Sequence, residues 1–179
     1  MNIRKKAVFN WSGGKDSALA LYKVLQQNQF DVVALLTTVN EETELSSMHA
    51  IPHALLLKQA ESIGIPLYPV FLPKNLSIYE QRMKDAANHF KAQGVEHFIF
   101  GDIYLSDVRK YREDRLHPLG IEVVEPLWNQ NSHEVMQDFL ASGIKTKIIV
   151  TDASKLGEAF IGQDISATLM DLMPAEVDV

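Results

Sequence analysis

"FNWSGGKDSALALYKVL", residues Phe9–Leu25, joins a short apolar run to an apolar helical segment through two glycines and several polar residues. The run Ala7–Asn10 predicts a β-strand, and the spacing of apolar residues over Lys15–Gln27 predicts an amphipathic helix. A helix that starts directly after such a turn presents backbone N–H groups without partners. The stretch therefore predicts a strand, a turn and a helix whose first turn can bind an anion.

The segment between strand and helix has the composition of a phosphate-binding loop. Its glycines permit positive φ and close approach of a ligand, and the helix dipole favours negative charge there. The serines add hydroxyl donors, the lysine adds a positive charge, and Asp16 is expected to cap the helix or to bind Mg²⁺. A plain glycine turn capped by a side chain is the alternative, but six specified positions favour phosphate binding. The predicted nucleotide-binding residues are Ser12, Gly13, Gly14, Lys15, Asp16 and Ser17.

Two better-known phosphate loops do not fit this sequence. A Walker A loop requires a glycine five residues before Gly14, where Phe9 stands. The dinucleotide fingerprint requires three spaced glycines, and the third is missing. The loop therefore belongs to another class of nucleotide site.

The rest of the chain alternates between apolar runs and helical patterns, which predicts a three-layer α/β/α fold with a mainly parallel sheet. Ligands in such sheets bind at the carboxyl ends of the strands, near the point where strand order reverses. We expect Ser77 to cap the third helix and Ser132 the fifth. The predicted strands are Ala7–Asn10, Asp31–Val39, Leu67–Phe71, Glu96–Asp102, Glu122–Val124 and Lys145–Val150, and the predicted helices are Lys15–Gln27, His53–Ile63, Ser77–Gln93, Asp107–His117 and Ser132–Ser142.

Composition limits the classes of function. The 179 residues are 46% hydrophobic and 22% charged, which suits one globular domain with a small appendage. A net charge of −6 disfavours nucleic-acid binding, and the absence of cysteine excludes disulfides, thiolate metal sites and a cysteine nucleophile. No apolar run reaches the roughly 18 residues of a membrane span, and the first apolar run is too short for a signal peptide. The expected location is the cytoplasm.

Polar residues after the fourth and fifth predicted strands are further candidates. Gly101 and Asp102 end a strand at the expected site, where the carboxylate can bind Mg²⁺ or the nucleotide, or only close a turn. Arg109 and Arg112 can clamp phosphate or an acidic acceptor, whereas Glu113, four residues after Arg109, would suit a solvated helix face.

The remaining candidates have equally plain structural alternatives. Glu125 and Trp128 can contact an acceptor, although the indole can instead pack in the core at a strand end. Thr37 lies towards the end of the second predicted strand, where it can face a base or serve as an ordinary strand residue. His49 follows in the next loop, and a lone histidine is more often a surface residue than a ligand.

Several segments resemble the diphthine–ammonia ligase (diphthamide synthase) family, especially its compact bacterial branch. The SGGKDS stretch is similar to the SGGxDS loop of the ATP-pyrophosphatase superfamily, to which that family belongs. The resemblance runs from about Val8 to Pro174. The segments that carry it are SSMHAIPHALLLKQAESIGIPLYPV, FGDIYLSDVRKYREDRLHPLGIEVVEPLW and LGEAFIGQDISATLMDLMP.

The resemblance implies a HUP/Rossmann-like PP-loop fold and ATP-dependent amidation. A carboxylate of a small molecule or protein would be adenylylated with release of pyrophosphate, and ammonia would then form the amide. ATP and Mg²⁺ are the implied cofactors, Lys15, Asp16 and Asp102 the implied catalytic residues, and His49 would lie beside the nucleotide pocket. Two alternatives stay open. One is a non-catalytic adenine-nucleotide-binding module, and the other is a tRNA-modifying PP-loop enzyme, which the acidic charge and missing cysteines disfavour.

The end of the chain differs from the family pattern. A segment of the type GE-x-GE is expected to follow near Val179, so we expect a nucleotide-binding domain over 1–150 and a truncated C-terminal extension over 151–179. Exposed apolar residues there would make a homo-oligomer possible; they are Leu169, Leu172 and Met173.

Overall fold

A computed structural model describes residues 4–174 and 177. Its central feature is a parallel sheet of five strands in the order β3-β2-β1-β4-β5. The predicted α/β/α fold is therefore confirmed. The strands are β1 (Lys5–Asn10), β2 (Phe30–Asn40), β3 (Leu67–Leu72), β4 (His97–Ile99) and β5 (Glu122–Val124).

Helices connect the strands and cover both faces of the sheet, and two short 3₁₀ turns lie at His117–Leu119 and Glu158–Phe160. Within the described residues, none of the helices combines the length and the apolarity that a membrane span requires. The helices are α1 (Lys15–Gln27), α2 (His53–Ile63), α3 (Tyr79–Ala92), α4 (Ser106–Leu116), α5 (Ser132–Ser142) and α6 (Ala167–Met170).

Strand residues alternate between two buried faces, which is why the strands are almost continuously apolar. On one face Val8, Leu36 and Leu72 pack against Phe90 of α3 and Leu116 of α4. The helices α1 and α2 pack against the other face of the sheet. Large apolar side chains buried in these layers hold the sheet together, since each contributes about 1.5–3 kcal/mol when it is removed from water.

Strand order reverses between β1 and β4. The chain passes from β1 outward to β2 and β3, and then returns to place β4 on the free side of β1. The loops after β1 and β4 therefore leave the same edge of the sheet in opposite directions and open a crevice there. This topology places the SGGKDS loop and the Gly101–Asp102 segment next to each other.

Three details of the predicted elements are wrong. The sixth strand, Lys145–Val150, is absent: this segment has a single bridge from Lys147 to Asp164, and Val150 is 77% exposed. Apolar character alone does not make a strand when no neighbouring strand is available to pair with it. The expected caps also shift, because Ile78 rather than Ser77 precedes α3, and Asn131 rather than Ser132 accepts the capping bond of α5.

The chain forms two compact units, residues 1–128 and 129–179. The first contains the complete sheet with α1 to α4. The second contains α5 and α6. The functional division at residue 150 stays a prediction.

His97 makes the stability of the sheet depend on pH. Its ring is 8% exposed, lies edge-on to Phe30 at 5.2 Å between centroids, and has no hydrogen-bond partner for Nδ1 among the described residues. Burial lowers the pKa of His97 below its ordinary value of 6.5, and the charge of Lys5 lowers it further. The unfolded chain therefore binds this proton more tightly than the folded chain does. The stability that the neutral, buried His97 contributes is complete above pH 6.5 and is lost as the pH falls through the pKa of His97 in the folded protein.

We expect His97→Phe to remove this dependence, because phenylalanine keeps the edge contact with Phe30 and cannot be protonated. Urea unfolding of the wild type and the variant between about pH 5 and pH 7.5 measures the difference. The free energy of unfolding of the variant relative to wild type should rise as the pH falls. A difference that stays constant over this range would contradict the assignment.

Candidate functional site

The loop after β1 presents several unpaired backbone donors. Gly14 precedes α1, and the N–H groups of Gly13, Lys15, Asp16 and Ser17 have no hydrogen-bond acceptor in the part of the chain that the structure describes. These are the orphan donors of a helix start, and the positive end of the helix dipole lies among them. Unpaired N–H groups at a helix start can bind phosphate oxygens.

Two serines hold the loop in this shape. The backbone N–H of Ser12 donates to Oγ of Ser17 at 3.2 Å, and the N–H of Gly14 donates to Oγ of Ser12 at 3.2 Å. Because each hydroxyl oxygen accepts one of these bonds, its own hydrogen remains available to a ligand. Ser17 is 4% exposed, which ties the loop to the buried side of the first helical turn.

The two glycines are required for different reasons. Gly13 has φ of +78°, and a Cβ there would lie 2.8 Å from Ile51 Cδ1 and 2.8 Å from Leu56 Cδ2. Gly14 has φ of −87°, but a Cβ there would lie 3.0 Å from Nε2 of His49. A side chain at either glycine would therefore displace a neighbouring residue of the loop after β2 or of α2.

Lys15 and Asp16 form an ion pair beside the loop. Nζ of Lys15 lies 2.5 Å from Oδ1 of Asp16, and the two side chains are 16% and 39% exposed. The described residues contain no group of three acidic or histidine side chains that could hold a metal alone. Mg²⁺ in proteins is commonly held by one or two carboxylates together with substrate phosphates. Asp16 is the carboxylate closest in sequence to the free amides.

Gly101 brings the end of β4 directly onto the start of α1. A Cβ at Gly101 would lie 2.9 Å from Cα and 3.0 Å from the backbone N of Ser17. The contact partner is backbone, which cannot turn away, so only glycine allows this approach. Asp102 follows immediately, so its backbone lies one residue from this contact, at the edge of the sheet where the order reversal between β1 and β4 predicts a site.

Asp102 belongs to a charged network with two arginines. Nη1 of Arg112 contacts Oδ2 of Asp102 and lies 3.3 Å from Oε1 of Glu125. The guanidinium of Arg112 lies 3.9 Å from the ring centroid of Phe100, and its side chain is only 17% exposed. Such a pair of carboxylates and a stacked guanidinium fixes the arginine in one orientation.

Glu125 is the buried centre of this network. Its side chain is 0% exposed, and Oε2 lies 3.4 Å from Nη1 of Arg109 without making a hydrogen bond among the described residues. Burial raises the pKa of Glu125 above its ordinary value of 4.5; Arg109 opposes this rise and Asp102 adds to it. Arg109 also lies 4.8 Å from the ring centroid of Trp128. The network therefore joins α4, the loop after β4 and the segment after β5.

The structure thus brings together most of the predicted site residues in two groups. His49 and the loop from Ser12 to Ser17 form one, and Asp102 forms the other with Arg109, Arg112, Glu125 and Trp128. Gly101 connects them. Thr37 lies inside β2, three residues before its end, and is 4% exposed. Its predicted contact with a nucleotide stays a prediction.

Two residues that contact the arginines of this network are not among the site residues predicted from the sequence. Phe100 lies under Arg112, and Glu113 accepts from Nε of Arg109 at 2.9 Å. The i,i+4 spacing does predict the pair of Arg109 and Glu113, but it suggested a solvated face, whereas both side chains are only about one-third exposed: 32% and 30%. The position of Phe100, directly before Gly101 and near the end of a predicted strand, is the sequence feature that could have identified it.

Comparison with known proteins assigns the family. The family model of the diphthamide synthase N-terminal domain matches residues 5–123, which contain all five strands except the last residue of β5 and carry the loop, Asp102 and both arginines. No curated protein matches the chain. Because the matched span covers 119 of 179 residues, the chain belongs to the diphthamide synthase family within the PP-loop superfamily of ATP-utilising enzymes.

Proposed function

We propose that the chain binds ATP at the start of α1, transfers its adenylyl group to a carboxylate, and forms an amide with ammonia. The observation that carries this proposal is the set of four N–H groups without acceptors from Gly13 to Ser17, next to the Gly101–Asp102 segment. Membership of the diphthamide synthase family supports the choice of ATP and of an amide-forming reaction.

The reaction has two steps whose atoms balance. A carboxylate oxygen of the acceptor bonds to the α-phosphorus of ATP, the bond from that phosphorus to the α,β-bridging oxygen breaks, and pyrophosphate leaves. Ammonia then attacks the acyl carbon, the bond from that carbon to the phosphate oxygen breaks, AMP leaves and the nitrogen loses a proton. No covalent bond to the protein is needed, so the chain contributes position and charge.

Each group of residues has a distinct part in this proposal. The amides from Gly13 to Ser17 and the charge of Lys15 stabilise the negative charge that develops on the departing pyrophosphate. When bound, Mg²⁺ would neutralise phosphate charge, and Asp16 and Asp102 are the carboxylates that would hold it. The Arg109–Arg112 network forms the side of the site where Trp128 would meet the acceptor, and the buried Glu125 holds both arginines in place.

Titration with α,β-methylene-ATP and Mg²⁺ tests the binding step without an acceptor, because this analogue cannot be cleaved between the α- and β-phosphates. Lys15→Ala should weaken its binding by about 10- to 100-fold, since a hydrogen bond to a charged group contributes about 1.5–3 kcal/mol. Lys84→Ala, on the exposed surface of α3, is the matched control and should bind as the wild type does. Equal affinities for all three proteins would contradict the proposed site.

The chemical step is tested with ATP, ammonium and a panel of carboxylate acceptors. We expect AMP and pyrophosphate in equal amounts with a productive acceptor. Release of ADP would overturn the reaction class. Tight binding of ATP with no cleavage across the panel would favour a nucleotide-binding module instead.

A further inference from the structure

The loop that follows β2 is built to hold one side chain over the phosphate loop. The N–H of Ser46 donates to the carbonyl of Ile51 at 2.8 Å, the N–H of Ile51 donates to Oγ of Ser46 at 3.0 Å, and the N–H of Ser47 donates to the carbonyl of Thr38 at 3.0 Å. Ser46 is 5% exposed, and Ala50 adopts a left-handed φ of +52°. These contacts fix the backbone on both sides of His49.

The side chain of His49 takes part in none of the described hydrogen bonds that hold this loop. Its side chain is exposed, and neither ring nitrogen has a hydrogen-bond partner among the described residues. Yet Nε2 lies 3.0 Å from the position that a Cβ on Gly14 would occupy. A free ring nitrogen therefore stands beside the residue that opens α1 and its unpaired amides.

We propose that His49 is a specificity-determining residue of this site, which donates a hydrogen bond from Nε2 to the outer phosphates of the nucleotide. The inference rests on the proposed function, in which the Gly13–Gly14 loop holds the part of ATP that leaves as pyrophosphate. The imidazole then selects ligands that carry these phosphates, namely nucleoside triphosphates and inorganic pyrophosphate. A nucleoside monophosphate has no group at this position and gains nothing from His49.

The physical basis is that the phosphate charge needs donors from more than one side. The amides approach it from the start of α1, and Lys15, whose Nζ already pairs with Asp16, approaches from the same helix. His49 comes from a different element, the loop after β2, and supplies a donor beside Gly14. A hydrogen bond to a charged acceptor contributes more than one to a neutral acceptor, so its loss should be measurable.

The test compares His49→Ala with wild type in calorimetric titrations of α,β-methylene-ATP, pyrophosphate and AMP, each with Mg²⁺. We expect about a tenfold loss of affinity for the first two ligands and an unchanged affinity for AMP. His89→Ala, an exposed histidine on α3 at the other face of the sheet, is the control and should bind all three as wild type does. Unchanged pyrophosphate and analogue affinities in His49→Ala, or an equal loss for AMP, would overturn the inference.

Gly14→Ala provides an independent check. Its φ of −87° suits alanine, but the new methyl group would displace the His49 ring. We expect Gly14→Ala to weaken pyrophosphate binding in the wild-type background and to have little further effect when His49 is already alanine. If Gly14→Ala weakens pyrophosphate binding equally in the wild-type and His49→Ala backgrounds, displacement of the His49 ring is not the cause of the weaker binding.

These outcomes are separable from failure of the proposed function. If wild type binds neither the analogue nor pyrophosphate, the ATP site itself is wrong. If wild type binds both and His49→Ala binds them equally well, only the role of His49 is wrong.

Discussion

Gly13→Ala is expected to weaken binding of α,β-methylene-ATP by about 100-fold. The left-handed backbone at φ of +78° costs an alanine about 1–2 kcal/mol, and its Cβ would lie 2.8 Å from both Ile51 and Leu56. Ile51 is 8% exposed and Leu56 is fully buried, so neither can move away without a cost of about 1–3 kcal/mol. The loop must shift instead, which moves its free N–H groups from their positions at the start of α1.

Gly94→Ala is the matched control for this variant. Gly94 has φ of +82° and no atom within 4 Å of the position of its Cβ, so it carries the same backbone cost without the clash. Urea unfolding should show a small loss of stability for Gly94→Ala, of about 1–2 kcal/mol, with unchanged nucleotide affinity. If Gly13→Ala also keeps the wild-type affinity, the Gly13–Gly14 turn is not the phosphate site.

Glu125→Ala is expected to lower the free energy of unfolding by about 2–4 kcal/mol. The carboxylate is 0% exposed and neutralises two guanidinium groups, and removing one partner of a buried ion pair commonly costs about 3–5 kcal/mol. The side chains of Arg109 and Arg112 are 32% and 17% exposed, so water compensates part of this loss. Urea unfolding at neutral pH measures the effect.

Glu113→Ala tests whether the loss of stability in Glu125→Ala depends on the burial of the carboxylate and not only on its charge. Glu113 also pairs with Arg109, at 2.9 Å, but its side chain is 30% exposed, so its loss should cost less than about 1 kcal/mol. Both variants remove one carboxylate from the same network. Equal losses of stability in the two variants would contradict the special role given to the buried Glu125.

The local pattern of the sequence predicts the fold well because strand and helix periods are clear. The Ser12–Ser17 motif predicts a turn and a helix start, and the structure begins α1 at Lys15 as expected. The alternation of strands and helices predicts the parallel sheet, and parallel topology then brings Asp102 to the same edge as the loop. Five of the six predicted strands are present for this reason.

Features that depend on tertiary packing could not be predicted in the same way. The run Lys145–Val150 has the composition of a strand, yet Ile149 is 56% exposed and the run makes only an isolated bridge. Nothing in a single sequence states that Arg112 would meet Asp102 and Glu125 at once, because ten and thirteen residues separate them from the arginine. Contacts of this kind follow from how α4 packs on β5, not from spacing along the chain.

The missing side chain at Gly101 has a mechanical consequence. Backbone meets backbone where Gly101 lies against Ser17, with no side chain between them. A methyl group at Gly101 would push the segment that carries Asp102 away from the first turn of α1, since neither backbone can rotate out of the contact. The spacing between these two parts of the crevice is thus set by the absence of a side chain at residue 101.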